Sequence, residues 1–106
     1  MKKLISPVIG MLSLALCAKA HAHFPTLNCH VSNTDAKLLS CTAGYSDASL
    51  AGEVILKVYS YDEALLREVK TASDGSVSFS KPNGEFYIVF DAGHESPAEF
   101  DYAELE

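Results

Sequence analysis

The stretch Leu27–Ala43, LNCHVSNTDAKLLSCTA, decides the fold. Its apolar residues stand at alternate positions on both sides of Asn33-Thr34-Asp35-Ala36, a segment of turn-forming residue types. A hairpin folded about that segment pairs residues whose numbers sum to about 70. Leu27 then faces Ala43, Cys29 faces Cys41 and Val31 faces Leu39. Side chains alternate along a strand, so all six fall on one face. The register that buries the apolar residues is therefore the one that permits a cross-strand Cys29–Cys41 disulfide. The same alternation turns His30 outward, to solvent.

Short alternating runs separated by turn residues continue along the rest of the chain, and no stretch after residue 22 keeps a helical period. Strands are expected near 25–32, 37–45, 53–60, 64–72, 76–81, 85–91 and 98–104. Val54, Leu56 and Val58 share one face, and an Asp74-Gly75 turn leads into Val77 and Phe79. Pro82-Asn83-Gly84 is a turn before EFYIVF (Glu85–Phe90), a run apolar on both sides that reads as a central strand covered on two faces. The expected fold is all-β: an immunoglobulin-like or transthyretin-like two-sheet sandwich of about seven strands.

The start of the chain reads differently. Lys2 and Lys3, an apolar stretch from Leu4 to Cys17 and alternating small residues up to Ala22 make residues 1–22 a secretory signal, leaving 23–106 as one domain. The stretch is interrupted by Ser6, Pro7 and Ser13 and is too short for a membrane anchor. Leu16 before Cys17 argues against lipidation. A soluble product in the periplasm or outside the cell is implied, where a disulfide is permitted and a small core benefits from one. Residues 23–106 carry five Lys/Arg against 14 Asp/Glu, a net charge of −9, which suits a cation and makes nucleic acid or an anionic membrane a poor partner.

No Gly-x-Ser-x-Gly elbow, His-Glu-x-x-His pair, phosphate loop or dinucleotide fingerprint is present, and the chain does not read as an enzyme. The specific chemistry lies in AKAHAHFP (Ala18–Pro25). Cleavage after Ala20 frees His21-Ala22-His23, whose amine, two amides and third-position imidazole can close a square plane on Cu(II) or Ni(II). Cleavage after Ala22 frees His23-Phe24-Pro25, and Pro25, lacking an amide hydrogen, forbids that wrap. His23 then offers its amine and imidazole as a two-toothed brace that needs other ligands, for which His94, His30 and nearby carboxylates are candidates. The second cut gives the usual spacing from the apolar stretch and is preferred. Farther on, DAGHESPAEF (Asp91–Phe100) leaves the central strand, and its loop carries Asp91, His94 and Glu95, residue types suited to a borderline metal.

Taken in order, Ala22-His23, then VILKVYSYDEALLREVKTASDGSVSF (Val54–Phe79), then IVFDAGHESPAEF (Ile88–Phe100) resemble a family of small exported proteins encoded with nickel and cobalt uptake systems, which carry a carboxypeptidase-regulatory-like β-sandwich. The shared pattern is a signal ending in Ala-His, a Leu-Leu pair before Thr-x-x-Asp-Gly-x-x-x-Phe, and a strand ending Asp-Ala-Gly-His. Members often carry further histidines where this chain has Glu95-Ser96-Pro97, and the Cys29–Cys41 pair lies outside the pattern. The resemblance implies His23 and His94 as metal ligands, Ni(II) or Co(II) as cargo and a membrane metal-uptake transporter as partner. Two other readings use the same residues: a copper carrier with the same histidine brace, and a metal-free module docking a protein or a glycan.

Overall fold

The hairpin singled out by the sequence is the first element of the structure. In the computed structural model, which describes residues 23–105, β1 (Pro25–Val31) runs antiparallel to β2 (Leu38–Tyr45), with Leu27 facing Ala43, Cys29 facing Cys41 and Val31 facing Leu39. Asp35 closes the turn, its carboxylate accepting the Lys37 N–H (2.9 Å) and its carbonyl the Leu38 N–H (3.0 Å). Ser32 N–H to Leu38 O at one end of the ladder, and Ser46 N–H to Phe24 O at the other, make the even-numbered pairs the hydrogen-bonded ones. Cys29 and Cys41 thus occupy a non-hydrogen-bonded pair, where two backbones approach most closely. Their Cα atoms are 4.1 Å apart and the disulfide is formed. His30 is exposed on the outer face.

Five further strands follow: β3 (Ile55–Ser60), β4 (Leu65–Lys70), β5 (Ser76–Ser80), β6 (Phe86–Phe90) and β7 (Ala98–Asp101). They form a two-sheet sandwich, antiparallel throughout, with orders β1-β2-β5 and β4-β3-β6-β7. Leu27, Leu39, Cys41, Ala43 and Phe79 from the first sheet meet Leu56, Val58, Val69, Phe86, Ile88, Phe90 and Phe100 from the second in one core. No helix of the described residues is long and apolar enough to cross a membrane. The segment 1–22, with His21 and the two expected cleavage sites, lies outside the described residues.

The Thr-x-x-Asp-Gly-x-x-x-Phe motif is architectural. Thr71, buried, donates its hydroxyl to Gly52 O (2.6 Å) and accepts the Val54 N–H (2.8 Å), fastening the entry to β3. Asp74 and Gly75 make the turn: Gly75 has φ +83° and its N–H bonds Ala72 O, while the Asp74 carboxylate accepts the Ser76 N–H. Phe79 enters the core with the Arg67 guanidinium 5.4 Å above its ring, a cation–π contact between the edge strands of opposite sheets.

Two expectations are corrected. β6 is central in its sheet, but only one of its faces is covered: Phe86, Ile88 and Phe90 are buried, whereas Tyr87 and Val89 are half-buried on the outer side, Tyr87 stacked on Tyr59. Its outward apolar residues shield one another rather than a second layer. The last strand stops at Asp101, not 104, and residues 102–105 form a 3₁₀ turn. The Asp101 carboxylate accepts the Ala103 N–H (2.9 Å) and Glu104 reaches back to the Asp101 N–H (2.9 Å), so Asp101-Tyr102-Ala103-Glu104 is a capping box that ends the strand.

Candidate functional site

The β1–β2 ladder does not stop at the strand ends. Phe24 O accepts the Ser46 N–H (2.8 Å) and the Phe24 N–H bonds Ser46 Oγ (3.1 Å), so the register runs on and sets His23 opposite Asp47. His23 Nδ1 lies 3.0 Å from Asp47 Oδ2, both side chains being largely exposed. Asp47 is itself held by a tight turn. Ala48 N–H bonds Tyr45 O, Tyr45 N–H bonds Ser49 O, and Ala48 takes the left-handed conformation (φ +74°) where such hairpins favour glycine.

The two oxygens of Asp47 are divided between tasks. Oδ1 accepts the Ser49 hydroxyl (2.6 Å) and the Ser49 N–H (3.0 Å), leaving Oδ2 to His23. The Asp47 carboxyl is held below its ordinary range, first by the Ser49 hydroxyl, then by the Ser49 N–H, with the charge of His23 a smaller cause. Short as it is, the His23 contact is solvent-screened, and Ser49 does more to keep the carboxylate charged. A carboxylate oxygen and an imidazole nitrogen therefore face each other at the tip of a backbone ladder.

His94 reaches the same end of the sandwich by another route. Its ring stacks on Tyr45 (centroids 6.4 Å apart, planes 15° apart), and Tyr45 meets Phe90 edge-on at 5.9 Å. Tyr45 is the last residue of β2, so the loop after β6 lies at the same end of the sandwich as the His23–Asp47 pair, without His94 joining that pair in a three-residue group. The remaining expected residues are not brought in. Asp91 turns its carboxylate to the Gly93 N–H (2.9 Å), shaping the exit from β6, and Glu95 is exposed in the left-handed region (φ +61°). His30 projects from the outer face of the three-stranded sheet. Among the described residues no three His, Cys, Asp or Glu side chains converge.

Asp47 was not singled out from the sequence, yet the signal was present. The pairing rule that joins Cys29 to Cys41 joins residue 23 to residue 47 when carried two steps past the strand ends. An open groove of about 530 Å³ lies nearby on the outer side, lined by Tyr45, Val54, Lys57, Tyr59, Val89 and Asp91, and includes neither histidine. His23 lies at the tip and His94 on Tyr45, both outside the groove lining.

Fold and tip together define a disulfide-stapled, all-β sandwich that presents a histidine–carboxylate pair at one end, with a second histidine stacked separately on Tyr45. Comparisons with protein families, with curated proteins and with solved structures find no match to this chain.

Proposed function

We propose that this is an exported accessory protein that captures Ni(II) or Co(II) through His23 and passes the ion to a membrane uptake transporter. The observation that carries the reading is the continuation of the β1–β2 ladder to the His23–Asp47 pair, 3.0 Å apart. A chain terminus is normally frayed. Here two hydrogen bonds at Phe24 hold the residue that follows the preferred cleavage site. After cleavage at Ala22, the His23 amine and Nδ1 form a two-toothed grip, and the ion displaces the proton between Nδ1 and Asp47. Asp47 supplies an oxygen in a mixed nitrogen–oxygen set, which suits borderline divalent ions. His94 contributes an imidazole on leaving Tyr45. The acidic domain attracts cations over its whole surface, and the Cys29–Cys41 disulfide suits an oxidising compartment.

The N-terminal mass of the secreted chain comes first, because it fixes which nitrogens exist. Titration of that mature chain with Ni(II), Co(II) and Cu(II) then tests the site. His23→Ala, which leaves the amine but removes the imidazole, is expected to weaken binding at least about 100-fold, and Asp47→Asn, which replaces a charged oxygen ligand by a neutral one, about tenfold. Unchanged affinity of His23→Ala for all three ions would refute the reading. Copper is the second reading, favoured by a grip of two nitrogens on one residue, which fits the tetragonal preference of Cu(II). Copper outranks nickel in the test tube at most nitrogen sites, so the two are separated in the cell: loss of the gene lowers nickel-enzyme activity in one case and copper tolerance in the other.

A further inference from the structure

Strand β4 is an edge of the four-stranded sheet, and of its six residues only Val69 is buried. An edge strand presents unpaired N–H and C=O groups, and the hydrogen-bond parity fixes which ones. Thr71 N–H bonds Val54 O, so the odd residues of β4 pair with β3, and Glu68 and Lys70 turn both backbone groups to the open edge. The usable edge is short at its other end, because the register slips between Val58 and Tyr59. Val58 faces Arg67 but Tyr59 faces Leu65, leaving Leu66 as an extra, bulged residue.

We infer that this edge pairs with the same edge of a second copy of the chain, across a two-fold axis through Val69. A two-fold perpendicular to the sheet keeps inner faces together, so residues of like parity must oppose each other. Three antiparallel registers then use the open groups of Glu68 and Lys70. Centring on Glu68 sets Glu68 against Glu68 of the second copy, and centring on Lys70 sets Lys70 against Lys70. Both place like charges directly opposite, which is destabilising. Centring on Val69 sets Glu68 against Lys70 twice over, with each pair exchanging both backbone hydrogen bonds.

The neighbouring strand extends the match. Glu68 already faces Lys57 of β3 on the outer side, and Lys70 lies 3.3 Å from Glu53. In the paired sheet the order Lys57, Glu68, then Lys70 and Glu53 of the second copy alternates in sign. The same mixed charges guard the edge against strands of any other pattern. Its own copy is the strand that they match.

Sedimentation of the mature chain over a range of concentrations is the test. A monomer–dimer equilibrium is expected, weakened at least about tenfold by Glu68→Lys or Lys70→Glu alone, since each reversal makes two like-charge pairs. The double exchange E68K/K70E should restore association to within about threefold, because opposite charges again face each other. Val69→Cys should form an intermolecular disulfide and Lys70→Cys should not. A chain that stays monomeric up to about 1 mM, a concentration at which even a Kd of about 1 mM leaves much of the chain dimeric, overturns the proposal and leaves the edge to another partner. So does a double exchange no better than either single reversal. Because the exposed charge variants keep the core intact, they decide the matter even where Val69→Cys fails to fold.

Discussion

At the scale of single residues, backbone conformation shows where the chain is under constraint. Gly75 has φ +83°, and a Cβ there would lie 2.4 Å from the Ala43 carbonyl oxygen, whereas Gly84, at φ +86°, has open space around it. Both positions disfavour L side chains, but only the first also collides with backbone. Gly75→Ala should therefore cost at least about 2 kcal/mol and Gly84→Ala about 1 kcal/mol in urea unfolding. Equal costs would mean that β2 and the β5 turn are less closely apposed than described. Ala48 is the converse case, an L residue at φ +74° in the turn that aims Asp47. Ala48→Gly should gain about 0.5–1 kcal/mol, the relieved left-handed penalty less the entropy of glycine. On the proposed metal-binding reading, the strain holds Asp47 against His23 and the same variant should bind Ni(II) more weakly, so that stability and affinity move in opposite directions.

At the scale of elements, the hairpin is the part of the structure that the sequence specifies most completely. Its register needs no knowledge of the second sheet, because the turn at residues 33–36 sets the pairing and that pairing puts Leu27, Leu39 and Ala43 on one face. The disulfide closes a loop with a sequence separation of 12. Replacing both cysteines by alanine should therefore lower stability by about 2–4 kcal/mol, on the loop-entropy argument. Thermal unfolding of that variant and of reduced wild type should agree; a reduced protein as stable as the oxidised one would show that the hairpin needs no staple. Elsewhere the reading was weaker for definable reasons. The outer face of β6 looked buried because Tyr87 and Val89 are apolar, but two tyrosines stacked on each other cover a surface without a layer above it. β7 ends at Asp101 although the period-two pattern continues past it, because the Asp-x-x-Glu cap legible in the same residues turns the chain. In the site, the structure sets His23 against Asp47 and stacks His94 on Tyr45, so the two histidines expected as ligands make separate contacts. Asp91 and Glu95 were chosen by residue type alone, and type does not say that Asp91 is engaged with its own turn.

At the scale of the whole molecule, charge governs how stability responds to pH. Residues 23–106 carry a net charge of −9, and such self-repulsion is relieved as carboxylates begin to protonate. Three carboxylates oppose that trend on further acidification. Asp47 and Asp74 are held below the ordinary 3.8 by the hydroxyl and N–H of Ser49 and Ser76, and Asp101 by the Tyr61 hydroxyl and the Ala103 N–H. A depressed folded pKa contributes stability that is present above the unfolded value and is lost as pH falls through the folded one. The acid limb should therefore begin near pH 4 and steepen below it. On the alkaline side Tyr61, donating to Asp101, is pushed up from 10.0 to about 12. The unfolded chain loses that proton first, so stability falls as pH rises from about 10 to about 12. Tyr61→Phe should make the alkaline limb shallower, leaving the part owed to Tyr87, which burial also pushes up, and, by returning Asp101 towards its ordinary range, make the acid limb shallower as well. Urea midpoints measured across pH test both limbs, and tyrosinate absorbance should show one of the five tyrosines titrating near 12 in the wild type. An alkaline limb unchanged in Tyr61→Phe would assign the loss to Tyr87, which burial also pushes up, and to general repulsion among the acidic side chains, of which only the second is relieved by added salt at about pH 11.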